Sequence, residues 1–157
     1  MTQTNYSNYY LFPASLFITK EPYLINTILG SCVSVCLWDN EMGYGGINHF
    51  MLPLWNGKGL ASPKYGNIAI QKLYEKMLEI GCNKKNLQAK VFGGADILQS
   101  TYNHFNIGER NIEIAKDYLR ELNIPIAAIS VGGVNGRKII FDSRKGSVIQ
   151  RYIEKSN

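Results

Sequence analysis

Short stretches that alternate apolar and polar residues, separated by glycine-rich or polar turns, recur along most of this 157-residue chain. A period of two is the pattern of a half-buried β-strand, and it constrains the fold more than any other feature of the sequence. The predicted strands lie near Ala14–Thr19, Tyr23–Leu29, Cys32–Trp38, Gly45–Leu52, Gln88–Phe92, Ile126–Val131, Lys138–Phe141 and Val148–Ile153.

Two segments instead carry apolar residues at helical spacing. The first is predicted to end at Gly81, and the second to run from Asn111 to Leu122. Their inward-facing residues are Ile68, Leu73, Met77 and Ile80 in the first, and Ala115, Tyr118, Leu119 and Leu122 in the second. Runs of strands flanked by two helices favour an α/β fold, a single-domain α/β sandwich in which a mixed or antiparallel sheet packs with two main helices.

Composition indicates one domain and a reducing compartment. A hydrophobic content of 45% suits one compact core, so we expect a single domain over residues 11–157 after a mobile N-terminal segment, residues 1–10. The sequence has no basic leader and no apolar run near the roughly 18 residues of a membrane span, which predicts a cytoplasmic protein with no membrane insertion. Three cysteines, an odd number, indicate reduced thiols rather than a disulfide framework.

The net charge of +5 does not indicate a nucleic-acid partner. Lysines and arginines are interspersed with carboxylates, and the ten tyrosines accompany no nucleic-acid motif. The Gly132–Gly136 run precedes a strand and not a helix, so it is not a dinucleotide fingerprint, and no P-loop is present. No cofactor is expected.

A cysteine and a histidine lie in two neighbouring predicted strands that form a candidate hairpin. If residues 39–42 form the loop, Trp38 lies opposite Gly43, Cys36 opposite Gly45, Ser34 opposite Ile47 and Cys32 opposite His49. Opposed Cβ atoms lie about 4.5 to 5.5 Å apart, so an imidazole nitrogen would reach the sulfur. A bulge at Gly43 or Gly45 would shift this register.

Such a pair suits attack on an acyl carbon. A free thiol, with a pKa of about 8.5, is mostly protonated at neutral pH, and an adjacent imidazolium stabilises the nucleophilic thiolate. The backbone N–H groups after Gly30 and Ser31 could face a developing oxyanion. Thr27, on the preceding predicted strand, is a candidate third member that holds the imidazole in one tautomer.

Other interpretations of these residues remain open. A strand cysteine is commonly a small core residue, as we predict for Cys36, and Cys82 is predicted to pack or lie at the surface. The spacing of Cys32, Cys36 and His49 matches no zinc pattern, so no metal is expected. His104 is a second candidate base in a polar loop. Two corners, Gly93-Gly94 and Gly132-Gly133, are interpreted as tight turns or as the lining of a groove.

Several blocks of the sequence together resemble the chemoreceptor glutamine deamidases of bacterial and archaeal chemotaxis, the CheD family. Thr27–Val35 is similar to the family signature Thr-x-Leu-Gly-Ser-Cys-Val-x-Val, and Gly46–Pro53 to Gly-x-Asn-His-Phe-Met-Leu-Pro. Further blocks follow in the family's order, from about Leu11 to Tyr152: Val91–Ala95, Ile107–Asn111, Val131–Gly133 and Gly136–Lys138.

The resemblance implies a cysteine hydrolase that converts glutamines on methyl-accepting chemoreceptor cytoplasmic domains to glutamate. It implies that Cys32 is the nucleophile, His49 the general base and Thr27 the third member. In some members the threonine sits one residue further from the cysteine, where this chain has Asn26. A CheC-type phosphatase is an implied partner.

Two other functions compete with a deamidase. A non-catalytic chemotaxis adaptor would use the same fold to bind receptor or phosphatase. A cysteine protease would use the same acyl chemistry, but no second signature supports a peptide-binding cleft.

Overall fold

The computed structural model describes residues 5–98 and 106–154 of the chain. Within these ranges there are two α-helices, α1 (Gly66–Glu79) and α2 (Ile107–Glu121), and a short 3-10 turn at Lys84–Asn86. The strands of the same ranges are β1 (Ser7–Tyr10), β2 (Ser15–Thr19), β3 (Tyr23–Leu29), β4 (Val33–Asp39), β5 (Tyr44–His49), β6 (Leu87–Gly93), β7 (Ile126–Val131), β8 (Arg137–Asp142) and β9 (Val148–Tyr152).

The strands divide between two sheets. One is four-stranded, in the order β1-β3-β8-β9, and the other five-stranded, in the order β2-β5-β4-β6-β7. Both are mixed, because β1 pairs with β3 and β6 pairs with β7 in parallel, while the remaining pairs are antiparallel. The predicted α/β sandwich with two main helices is confirmed. Its strands form two sheets, each of which is a separate layer.

Two apolar cores hold three layers together. The first lies between the helices and the five-stranded sheet and includes Ile70 and Leu73 of α1 and Leu119 of α2. The second lies between the two sheets and includes Ile25 of β3 and Phe141 of β8. The five-stranded sheet is therefore the middle layer, with both faces covered.

The position of β4 explains its composition. It is the central strand of the middle layer, so alternate residues enter different cores, Val35 on the helix side and Cys36 on the sheet side. The prediction of Cys36 as a core residue is confirmed, since its side chain is 1% exposed. A strand buried on both faces reads as a nearly continuous apolar run, as here.

The N-terminal segment contains one strand that sequence patterns do not indicate. Within residues 1–10, where the sequence predicts a mobile segment, Ser7–Tyr10 forms β1 and pairs with Tyr23–Asn26 of β3. Every residue of β1 is exposed, so the segment lacks the apolar alternation that marks a strand.

The predicted register of the β4–β5 hairpin is wrong by two positions. Cys36 lies opposite Ile47, where the sequence predicts Ser34, and Trp38 lies opposite Gly45, where it predicts Cys36. A shift of two keeps every side chain on its expected face, because the side-chain period of a strand is also two.

The reason for the shift is that Asp39 stays in the strand. Its carboxylate accepts hydrogen bonds from the backbone N–H groups of Glu41 and Met42, at 2.9 and 3.0 Å. The turn then closes at Gly43, whose φ of +70° favours glycine and whose N–H donates to the Asp39 carbonyl. The loop is therefore residues 40–43 instead of 39–42.

Across the described ranges, neither helix has the length and apolar character needed to cross a membrane.

Candidate active site

Cys32 lies in the short connection between β3 and β4, where its main chain is held from the end of β6. The N–H of Gly94 donates to the Cys32 carbonyl at 2.8 Å, and the N–H of Ala95 donates to the Gly30 carbonyl at 2.9 Å. The Cys32 side chain is half-buried against the inter-sheet core. The residues at and after the Gly93-Gly94 corner therefore support the main chain of the nucleophile candidate.

His49 is the last residue of β5, and its side chain is buried between the two sheets, with 2% exposure. Its Nδ1 lies 2.7 Å from Thr27 Oγ1, which belongs to β3 of the other sheet. Thr27 Oγ1 also lies 2.8 Å from the Leu11 carbonyl, to which it donates. The structure therefore brings Thr27 and His49 together through a hydrogen bond that crosses the sheet interface.

These contacts determine the imidazole tautomer. A threonine hydroxyl has one hydrogen, and the Leu11 carbonyl can only accept, so that hydrogen points to Leu11. Thr27 Oγ1 must then accept from His49, which places the ring hydrogen on Nδ1. The lone pair of Nε2 remains available to take a proton.

Burial sets the charge of both candidate groups. It lowers the pKa of His49 to about 4, because a buried imidazolium loses its hydration. Burial also raises the pKa of the Cys32 thiol, an effect that a hydrogen bond from its own backbone N–H partly offsets. At neutral pH burial therefore favours a neutral thiol and a neutral imidazole over the thiolate and imidazolium that the sequence suggests.

The observed register makes Cys32 and His49 diagonal neighbours. Val33 pairs with Phe50 through two backbone hydrogen bonds, at 3.0 and 3.1 Å, so the preceding residue of each strand lies on the opposite, inter-sheet face. Diagonal residues in an antiparallel pair are about 7 to 8 Å apart, within reach of long or aromatic side chains. The predicted direct opposition of Cys32 and His49 is wrong, but their predicted common face is confirmed.

Comparison with known proteins identifies the family. The family model described as CheD chemotactic sensory transduction matches residues 51–152. The chain belongs to the CheD family. That matched span begins after Cys32 and His49 and therefore assigns these two residues no role.

Curated relatives extend the family match over most of the chain. A probable chemoreceptor glutamine deamidase CheD of Trichlorobacter lovleyi is 53% identical over 90% of this chain and 88% of its own length. A protein of the same description from Sulfurimonas denitrificans is 47% identical over 96% of this chain and 97% of its own. A third, from Thiobacillus denitrificans, is 39% identical over 94% of this chain and 74% of its own.

Among solved structures, the chain is similar to the Bacillus licheniformis hypothetical protein YfiH. The identity is 15% and the TM-score 0.46, over 73% of this chain and 49% of that one.

Neither Cys82 nor His104 is part of the group formed by Cys32, His49 and Thr27 as the described residues show it. Cys82 is 7% exposed, and burial with a hydrogen bond to Asp39 raises its pKa to about 12. His104, the second candidate base, lies outside the described residues. In the described part of the chain, no three His, Cys, Asp or Glu side chains are grouped so as to hold a metal ion.

Two buried asparagines support the site and carry no role in the sequence prediction. Asn48 Oδ1 accepts the Val35 N–H at 2.8 Å, in place of a backbone carbonyl of the β4–β5 ladder. Asn111 of α2 donates to two carbonyls beside the site, those of Ser31 and Met51. Two signals mark Asn111 in the sequence: it belongs to the Ile107–Asn111 block, and as a polar residue it continues the buried stripe of Ala115 and Leu119.

Proposed function

We propose that this CheD-family chain is a chemoreceptor glutamine deamidase, with Cys32 as nucleophile, His49 as general base and Thr27 as the residue that orients the imidazole. The substrate class follows from the names of its relatives, which cover most of its length. The observation that carries the residue roles is the hydrogen bond between Thr27 and His49, because it leaves the lone pair of Nε2 unused on a residue that shares the inter-sheet face with Cys32. The proposed catalytic domain spans residues 11–157.

The first chemical step would form a thioester. His49 Nε2 takes the thiol proton of Cys32 as the sulfur bonds to the side-chain carboxamide carbon of a receptor glutamine. Because both groups begin neutral, proton transfer accompanies the attack instead of preceding it. The oxyanion forms near the Cys32 backbone N–H, and His49 returns the proton to the departing ammonia.

The second step would release glutamate. Ammonia leaves room for a water molecule, which loses a proton to His49 Nε2 and attacks the thioester carbon. Collapse of the tetrahedral intermediate breaks the carbon–sulfur bond, and the proton returns from His49 to Cys32. The sum of both steps is glutamine plus water giving glutamate plus ammonia.

A receptor or phosphatase adaptor is the competing function, and partner binding does not require a reactive thiol. A CheC-type phosphatase partner and a cytoplasmic location belong to the proposal as expectations from the family resemblance.

Mass spectrometry of a purified chemoreceptor cytoplasmic domain tests the proposal directly. The receptor domain is incubated with the unsubstituted protein, with the Cys32→Ala variant and with the Cys36→Ala variant. Cys36 provides the matched control, since it is a buried thiol on β4, four residues after Cys32. We expect a mass increase of about 1 Da at specific glutamines with the unsubstituted and Cys36→Ala proteins only. Conversion by Cys32→Ala, or conversion by none of the three, would contradict it.

A further inference from the structure

Asn111 joins the two segments that carry the proposed nucleophile and base. Its side chain is fully buried near the start of α2. Nδ2 lies 2.9 Å from the Ser31 carbonyl oxygen and 3.0 Å from the Met51 carbonyl oxygen. Both neighbours are acceptors, so the amide nitrogen must face them, and both of its hydrogens are used. One side chain therefore connects the residue before Cys32 with the residue two positions after His49.

The bond to Ser31 also orients the next N–H group. The Ser31 carbonyl and the Cys32 N–H belong to one planar trans peptide unit, in which the two groups point in opposite directions. Because Asn111 draws the carbonyl toward α2, the Cys32 N–H is directed away from α2. Its proximity to the Cys32 sulfur agrees with this direction.

The peptide unit on the other side of Cys32 is anchored as well. The Cys32 carbonyl accepts the N–H of Gly94, and the next residue, Val33, exchanges two hydrogen bonds with Phe50. The main chain is thus held on both sides of the Cys32 Cα, and the Asn111 bond is the constraint that determines the direction of its N–H.

Burial of this asparagine is costly, which argues for a specific role. Asn111 Oδ1 is buried and has no hydrogen-bond partner among residues 5–98 and 106–154. The desolvation cost of an unpaired buried acceptor offsets what the two donated bonds contribute. Stability alone is therefore a weak reason for an asparagine on the buried stripe of α2, where the neighbouring buried residues are Gly108 and Ala115.

We propose that Asn111 is a positioning residue, which holds the Ser31–Cys32 peptide so that the Cys32 N–H stabilises the oxyanion formed at the thiol. The proposal rests on the proposed function in one respect, the use of Cys32 as nucleophile. Asn111 touches neither the substrate nor the sulfur; it acts through the peptide unit.

Two reagents that attack the same sulfur separate this role from a general structural one. p-Nitrophenyl acetate acylates a thiol through a tetrahedral oxyanion, whereas iodoacetamide alkylates it by displacing iodide, with no oxyanion. Both rates are measured for the unsubstituted protein, the nearly isosteric Asn111→Leu variant and the Asn111→Ala variant. The Cys32→Ala protein gives the background of each reaction, and Lys116→Ala, an exposed substitution on the same helix, is the control.

We expect both Asn111 variants to acylate about 10- to 100-fold more slowly, because a misdirected oxyanion donor loses much of its effect. Their alkylation should slow by much less than their acylation, since alkylation forms no oxyanion and depends on the Cys32 N–H only through the ionisation of the thiol. Lys116→Ala should change neither rate.

The remaining outcomes overturn the proposal. Equal losses in acylation and alkylation, or variants that unfold at the assay temperature, would assign Asn111 a structural role. Unchanged acylation would remove any role in orienting the N–H. A Cys32 that reacts with neither reagent in the unsubstituted protein would contradict the nucleophile itself, and with it the proposed function.

Discussion

The hydroxyl of Thr27 joins a backbone carbonyl to an imidazole, and it does so with a single hydrogen. Thr27 donates that hydrogen to Leu11 and accepts from His49 Nδ1. The direction of this pair of bonds is what leaves Nε2 as the proposed base. Thr27 therefore determines which nitrogen of His49 is available as the proposed base.

Replacing Thr27 by valine should lower both activity and stability. Thr27→Val keeps the shape but removes the acceptor of Nδ1, so we expect deamidation to fall about 10- to 100-fold and stability by about 1 to 2 kcal/mol. Thr19→Val is the matched control, because Thr19 is also a buried strand threonine, bonded at 3.0 Å to the Glu21 carbonyl. Activity and urea unfolding are measured for both. Similar activity losses in the two variants would contradict an orienting role.

The pH dependence of stability should report the burial of His49. Its folded pKa of about 4 lies below the ordinary value of 6.5, so between these pH values the unfolded chain binds a proton that the folded chain does not. Stability should therefore fall as pH decreases from about 6.5 to 4, by roughly 3 kcal/mol from this group. Urea unfolding at several pH values is compared with that of His49→Gln. An equally steep fall in the variant would assign the effect to other groups.

The sequence indicates Cys32, His49 and Thr27 as a possible site but gives Asn111 no role. The first three lie within one local run of strands, and period-two alternation places Cys32 and His49 on one face. Thr27 meets that face from the other sheet. Asn111 lies 79 residues beyond Cys32 in the sequence and 80 beyond Ser31, which accepts its hydrogen bond. Only helix packing brings these groups together, and single-sequence patterns do not encode that contact.

At the scale of elements, the end of β6 forms the support for the nucleophile candidate. Gly93 has a φ of +110°, and a Cβ there would overlap the carbonyl oxygen of Cys32. The sequence leaves open whether this corner is a turn or a groove. Its contact with Cys32 is a long-range feature that depends on how β4 and β6 pair.

Substitution of Gly93 by alanine should impair both folding and chemistry. Gly81→Ala is the matched control, because Gly81 has a nearly equal φ of +112° with no atom within 4 Å of an added Cβ. Backbone strain alone should cost Gly81→Ala about 1 to 3 kcal/mol and leave activity intact. Gly93→Ala should lose more stability and at least about 10-fold in deamidation, since it displaces the Cys32 main chain. Equal behaviour in unfolding and activity assays would show that strain explains both.

The sequence predicts the ends of an element correctly where the apolar pattern of that element is local. β3 and β7 have the predicted bounds, whereas α2 begins at Ile107, four residues before the predicted start. That first turn contains Gly108, whose missing side chain allows close contact with the Gly94 and Ala95 carbonyls. Glycine has a low helix propensity, so the local pattern does not indicate a helix at Gly108 although tertiary packing requires a glycine there. The predicted helix therefore begins too late in the sequence.

At the scale of the whole molecule, the proposed site lies at a junction of all three layers. Thr27 comes from the four-stranded sheet, His49 from the five-stranded sheet and Asn111 from the helical layer. The two cores beside this junction are separate, one between the sheets and one under the helices. Damage to each core should therefore have a different effect on the site.

A pair of equal truncations tests this separation. Ile25→Ala opens the inter-sheet core and Ile70→Ala the helix-side core, both at fully buried positions. Each should cost about 2 to 5 kcal/mol of unfolding free energy. Only Ile25→Ala should also reduce deamidation, because it relaxes the spacing across which Thr27 reaches His49. Deamidation rates are measured at a temperature below the unfolding transition of both variants. Equal activities in the two variants would contradict the expected difference.

The Leu11 carbonyl connects the segment between β1 and β2 with the acid–base chemistry proposed for His49. If that segment detached, the Thr27 hydroxyl would be released to donate to Nδ1, and the ring hydrogen would move to Nε2. The imidazole would then present a donor where the reaction needs an acceptor. An intact thiol and an intact histidine would remain, yet displacement of Leu11 would stop the proposed reaction by reversing one hydrogen bond.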